Sequence, residues 1–347
     1  MLLSTVKLFL SHWTALRLWR LLRIRGVTPP SSRLNRIEDY ACRKRQLADC
    51  GISLSPLAVS SRVGCAELET ALADPASGAA RLDLLVGERS SISNLRNVKH
   101  HLLEGTLPPD AFRLVSDGIY LPSPELVFLL LASELSRLRR IALAYELVGS
   151  YALDRPSTNG FVSGLSPVTS LDRLRDFLAR STRRRHAARA LADLELVHER
   201  SASPRETDLA MAFSLPAGDG GYGLGPFSMN PVLRFEGERA VLAGGVRRYP
   251  DILFVRDRVV VEYDSDQWHG GVMKPSVDKD RADGLSAVGY TVLTFTNLHF
   301  GSYASFSRQM LRLVGHLGEG LAGEDEVLAS ARRRLFVFLR SPDRLVY

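Results

Sequence analysis

A chain of 347 residues that is 45% hydrophobic, with mean hydropathy near zero, can bury a real core and has room for two ordinary domains. Its net charge of +7 permits a polyanion partner such as nucleic acid, although Arg far outnumbers Lys and a GC-rich genome accounts for that equally well. The three cysteines, Cys42, Cys50 and Cys65, include no C-x-x-C pair, which excludes a disulfide framework and a zinc knuckle and fits a reducing cytoplasm.

Along the first 25 residues Lys7, His12 and Arg17 interrupt each apolar run, so no stretch reaches the roughly 18 apolar residues of a membrane span. Leu10, Trp13, Leu16 and Trp19 recur at helical spacing and predict an amphipathic helix packed on its own domain. Arg81 to Val86 reads as a strand. Phe112–Val115 and Ile119–Leu121 flank Ser116-Asp117-Gly118 as a hairpin. Ser123-Pro124-Glu125 opens a helix running to Ser136, with an N-cap and a proline in its first turn. Residues 152–170 are loop-rich, and Leu171–Leu178 and His186–Val197 are helical. Arg183-Arg184-Arg185 is a basic run that reads first as a solvated helix face and second as a phosphate grip. His100, His101 and the other histidines of this region lack a carboxylate constellation and read as structural.

Ser201-Ala-Ser-Pro204 opens a second part. Ser203-Pro-Arg-Glu206 fits a capping box ahead of a helix from Arg205 to Phe213. The Gly-rich stretch 217–225 lacks the Gly-Lys-Ser/Thr of a phosphate-cradling loop and is a connection. Helices follow from Asp278 to Val288, from Tyr303 to Leu317 and from Asp325 to Leu339, with a strand from Tyr290 to Phe295. The division expected is an α+β domain over 1–200, an α/β domain over 201–320 and a C-terminal helix over 321–347.

The chemistry concentrates in residues 249–269, YPDILFVRDRVVVEYDSDQWH. Two β-branched apolar runs flank Arg256-Asp257-Arg258, the pattern of a hairpin buried on both faces. Asp251 begins the first strand, and Glu262 and Asp264 end the second. With Arg256-Asp257 as a two-residue turn, Asp251 faces Glu262; with the turn one residue later it faces Asp264. Either register gathers all three carboxylates on one side, because residues i and i+2 share a face. Opposed like charges cost roughly 0.2–1 kcal/mol in a sheet, and more when desolvated. A cation explains their retention, and hard oxygen ligands suit Mg²⁺ or Mn²⁺.

Pro250-Asp251, a strand's length and then Glu262-x-Asp264 resemble the PD-(D/E)XK nuclease superfamily. The continuation from Glu262 to Trp268-His269 is similar to its branch related to very-short-patch-repair endonucleases. The likeness covers residues 201–317. It implies a restriction-endonuclease-like α/β core, a mixed sheet flanked by helices, in a metal-dependent endonuclease acting on DNA. Asp251 and Glu262 would hold the metal, with Asp264 as a further ligand, and His269 would assist proton transfer. Glu206 stands where the superfamily supplies another acid from its first core helix, so the capping and catalytic readings of Glu206 both stand. Arg281, at the opening of the next helix, reads equally as a phosphate contact and as a salt-bridge partner of the acidic cluster. Asp264 replaces the Lys of the superfamily's Glu-x-Lys, which leaves His269 or Arg281 to supply the missing cation. The alternative is a non-catalytic nucleic-acid-binding or antitoxin-like regulator on a degenerate nuclease fold. Leu82 to Ala132 loosely resembles the C-terminal part of AbiEi-type antitoxins of abortive-infection systems, which implies a setting in phage defence and a partner-positioning role for the first domain.

Overall fold

The computed structural model describes residues 7–37, 82–92, 94, 98–116, 118–265, 282–319 and 325–344. It is a mixed α/β chain that divides into two compact units, Met1–Glu195 (with Val346–Tyr347) and Leu196–Leu345. Among the described residues no helix is long and apolar enough to cross a membrane.

In the first unit β1 (Leu8–Phe9) leads into α1 (His12–Ile24), which buries Leu16, Leu18, Trp19 and Leu22. The expected helical stripe is present, but it also carries Arg20 inward. β2 (Leu82–Val86) is buried throughout and pairs in parallel with β3 (Val98–Leu102), a strand the apolar pattern did not announce because its centre is Lys99-His100-His101. β4 (Phe112–Ser116) and β5 (Ile119–Pro122) form the expected hairpin, and β5 also pairs in parallel with β1.

The helix expected to reach Ser136 stops earlier. α2 (Pro124–Leu131) is capped by the Ser123 side chain and wholly buried, and α3 (Arg137–Val148) begins afresh after Ser136. Between them the chain turns, with Ser133 Oγ donating to the Leu130 carbonyl at 3.0 Å. The loop-rich stretch contains a short antiparallel pair, β6 (Tyr151–Leu153) and β7 (Phe161–Ser163). α4 (Leu171–Arg180) and α5 (Ala187–Asp193) follow. In the basic run Arg184 donates to the carbonyls of Glu104 and Thr106 at 3.1 and 3.0 Å, while Arg183 and Arg185 are exposed.

Buried charges tie these helices together. Arg20 makes a bidentate pair with Glu146, both bonds at 2.7 Å. Arg23 donates to the carbonyls of Glu146 and Gly149 at the C-terminal end of α3 and of Tyr151 just beyond it.

The second unit is built on a four-stranded sheet. α6 (Pro204–Ser214) precedes β8 (Ser228–Met229). An excursion, β9 (Leu233–Arg234), α7 (Gly237–Leu242) and β10 (Arg247–Arg248), then leads to β11 (Ile252–Phe254) and β12 (Val259–Asp264). A helix over 282–287 and Gly289, at φ +87°, turn the chain into β13 (Thr291–Thr296). Only glycine adopts that φ without penalty, which fixes the helix end there. Strand order is β13-β12-β11-β8, with β12 and β13 parallel and the other pairs antiparallel.

The sheet is covered on both faces, which is why its strands read as continuous apolar runs. On one face Leu253 and Val260 pack with Phe235, Ala243, Leu285 and Val288. On the other, Phe213 of α6 meets Phe254 and Phe295, and Phe295 meets Phe306 of α8 (Tyr303–His316). α9 (Glu326–Arg340) adds Phe336 against Phe306, so the C-terminal helix belongs to this second core.

Candidate functional site

Two strands meet at their polar ends. The β11–β12 ladder pairs Ile252 with Val261 and Phe254 with Val259, so Asp251, one step before β11, lies opposite Glu262. This is the register set by a turn centred on Arg256-Asp257. The two residues interlock: Tyr263 N–H donates to Asp251 Oδ2 at 2.7 Å, and Asp251 N–H donates to Glu262 Oε2 at 3.3 Å. Glu262 and Asp264 alternate onto the face that carries Val260. Asp264 ends the strand opposite Thr296 of β13 and is half-exposed.

Glu206 joins from α6, which packs on the opposite face but starts at this end of the sheet. Ser203 Oγ accepts from Glu206 N–H at 3.2 Å, and Glu206 Oε2 accepts from Ala202 N–H at 2.8 Å, a reciprocal cap displaced by one residue. The same oxygen accepts from Asn230 Nδ2 at 2.6 Å, and Asn230 N–H donates to the Asp251 carbonyl at 2.8 Å. The residue therefore serves its helix and also faces the carboxylates. Burial, and then the Asp251 charge, push the Glu206 carboxyl up to about 7, against the pull of its hydrogen bonds. Nothing in the sequence singled out Asn230; its role follows from β8 lying beside β11, with Met229 opposite Ile252.

Behind this site α6 is anchored by a buried ion pair. Arg344 Nε and Nη2 reach Asp208 Oδ1 and Oδ2 at 2.7 and 2.8 Å, and Arg205 Nη1 reaches Oδ2 at 3.1 Å. Arg205 also lies over the Phe300 ring at 4.5 Å. Tyr263 donates its hydroxyl to Asn297 Oδ1 at 2.7 Å.

His269 and Arg281 lie outside the described residues, so the structure places Glu206, Asp251, Glu262 and Asp264 alone. Asp251 and Glu262 are directly engaged, Glu206 feels the Asp251 charge, and Asp264 stands one strand pair further out. Among the described residues, the one set of three ligand atoms within 4.8 Å of each other lies elsewhere, at His12, His101 and Glu134. That corrects the reading of the first-unit histidines as having no carboxylate: His101 Nε2 lies 2.8 Å from Asp83 Oδ1. The signal was missed because its members are scattered over three elements and share no spacing. Burial, reinforced by His101, lowers His12 to about 4, so its imidazole is neutral at ordinary pH.

No family model, curated protein or solved structure matches the chain.

Proposed function

We propose that the second unit is a metal-dependent endonuclease that hydrolyses phosphodiester bonds of DNA. The observation that carries this reading is the register that sets Asp251 against Glu262 at adjoining strand ends, with Glu206 within reach of the Asp251 charge. Such opposed carboxylates are unfavourable without a cation. The order helix, three antiparallel strands, helix and parallel strand supports a PD-(D/E)XK-type core, as does the sequence likeness around Pro250-Asp251 and Glu262.

The donor set fits a hard divalent ion. Asp251 and Glu262 would hold Mg²⁺ or Mn²⁺, with Asp264 contributing directly or through water. When bound, such an ion polarises the scissile phosphate and acidifies the attacking water. The chain's own groups prepare the site. Tyr263 N–H fixes the Asp251 carboxylate, and Asp251 N–H fixes that of Glu262. Without a cation, burial and the Asp251 charge raise the Glu206 carboxyl to about 7; a divalent ion on Asp251 would offset that charge and favour the carboxylate. His269 is assigned proton transfer on sequence grounds, and the first unit the positioning of substrate or a partner.

The test is cleavage of plasmid and linear DNA by the full chain in Mg²⁺ and Mn²⁺, beside Asp251→Asn and Glu262→Gln. Metal-dependent cleavage by the wild type, lost in both variants, is expected. A folded wild type that cuts no DNA with either ion, yet binds it, would instead support the regulator. Asp264 in the position of the superfamily's Lys favours that second reading.

A further inference from the structure

The first unit contains a cluster for which the nuclease reading has no use. His12 opens α1, His101 lies in β3 and Glu134 sits in the turn between α2 and α3, and one ligand atom from each lies within 4.8 Å of the others. The imidazoles are stacked, with ring centroids 3.6 Å apart and planes at 19°. Each ring has one nitrogen already engaged by a partner outside the trio. His101 Nε2 is at 2.8 Å from the buried Asp83 carboxylate, and His12 Nδ1 is at 2.5 Å from Ser11 Oγ. That leaves Nδ1 of His101 and Nε2 of His12 as the nitrogens for a ligand.

A carboxylate behind one imidazole is the arrangement that orients metal-binding histidines and makes them more basic. Glu134 is also pre-oriented: Trp13 Nε1 donates to Oε2 at 2.7 Å, and Lys99 Nζ to Oε1 at 3.0 Å. His12 itself is held at φ +39°, a conformation rare for a residue with a side chain, and such strain gathers at functional positions.

We propose that His12, His101 and Glu134 form a site for a divalent transition-metal ion of the Zn²⁺ class, with Asp83 as the group that positions His101. Two imidazoles and one carboxylate suit zinc or cobalt, and not the all-oxygen preference of Mg²⁺. Tetrahedral bonds to nitrogen of about 2.0–2.1 Å require ligand atoms roughly 3.3 Å apart. The side chains therefore close inward on binding and the rings tilt out of their stack. Glu134 is exposed, so a fourth position opens to water on its side. Lys99 is the built-in competitor, since its ammonium neutralises the carboxylate that the metal would take.

The experiment uses the full chain carrying Asp251→Asn and Glu262→Gln, which separates this site from the carboxylate centre of the second unit. Titration with Co²⁺, read by its visible absorption, and displacement by Zn²⁺ should give one equivalent bound. In that background His12→Ala or His101→Ala should abolish stoichiometric binding, and Asp83→Asn should weaken it about 10–100-fold. Lys99→Met, a substitution at a half-buried position of β3 outside the core, should tighten it by about fivefold. Absence of Co²⁺ or Zn²⁺ binding to the folded protein would overturn the proposal. So would binding that neither the Lys99 nor the histidine substitutions alter, and the stacked rings would then be a packing contact.

Discussion

Glu206 and Asp251 are joined through Asn230, whose side-chain amide donates to the first and whose backbone N–H donates to the carbonyl of the second. The residue that follows β8 thus couples the start of α6 to the strand end that carries Asp251. The coupling is electrostatic as well as geometric, because the Asp251 charge adds to burial in keeping a proton on Glu206 up to about pH 7.

The sign of the resulting pH dependence follows from that raised value. Below about 4.5 Glu206 is protonated both folded and unfolded and costs nothing. Between there and about 7 the unfolded chain releases the proton while the folded chain keeps it, so stability falls as pH rises, by on the order of 3 kcal/mol. Glu206→Gln keeps an acceptor for Ala202 and Asn230 and removes the titration. Urea unfolding at pH 5 and pH 8 should show that fall in the wild type and a flat response in the variant. An equal fall in both would place the titration on another group.

Metal affinity should separate the carboxylates. Asp251→Asn removes a ligand at the engaged pair and should abolish Mg²⁺ or Mn²⁺ binding measured calorimetrically. Asp264→Asn acts at a half-exposed position beside Thr296 and should weaken binding by about tenfold or less. Equal losses would make Asp264 a full ligand.

Proton transfer assigned to His269 predicts a different signature. His269→Ala should slow DNA cleavage by roughly 10²–10⁴-fold while leaving metal affinity nearly unchanged. Cleavage at the wild-type rate would make the imidazole structural and leave Arg281 as the candidate for the missing Lys cation.

The buried pair of the first unit gives a stability prediction independent of function. Arg20→Met leaves Glu146 charged and enclosed, with Leu153 N–H at 3.1 Å to balance it alongside Arg23. Thermal or denaturant unfolding should report a loss of about 3–5 kcal/mol in that unit. A loss below about 1 kcal/mol would mean that the pair is exposed in solution.

What was legible in the sequence were the features set by local rules. Two apolar runs and a polar turn announced the β11–β12 hairpin and offered its register as one of two choices. Ser203 and Glu206 announced the α6 cap, and Ser123-Pro124 the start of α2. Contributions from distant chain were not legible. Asn230 matters because β8 pairs with β11, β3 hides behind the polar triplet Lys99-His100-His101, and the break between α2 and α3 falls in a stretch with neither Gly nor Pro. The Asp83–His101 pair is of the same kind: parallel strands set these two side chains together, and a sequence separation of 18 does not report it.

The clasp between Asp208 and Arg344 also bears on synthesis. The carboxylate leaves the ribosome with α6, whereas its guanidinium partner is 136 positions later. A nascent second unit must therefore enclose Asp208 without its main counter-charge or postpone closing around it, and the first course is costly. Until Arg344 arrives, Arg205 is the counter-charge that the helix bearing Glu206 supplies from its own first turn. The order of the residues thus sets an order of assembly for this pair.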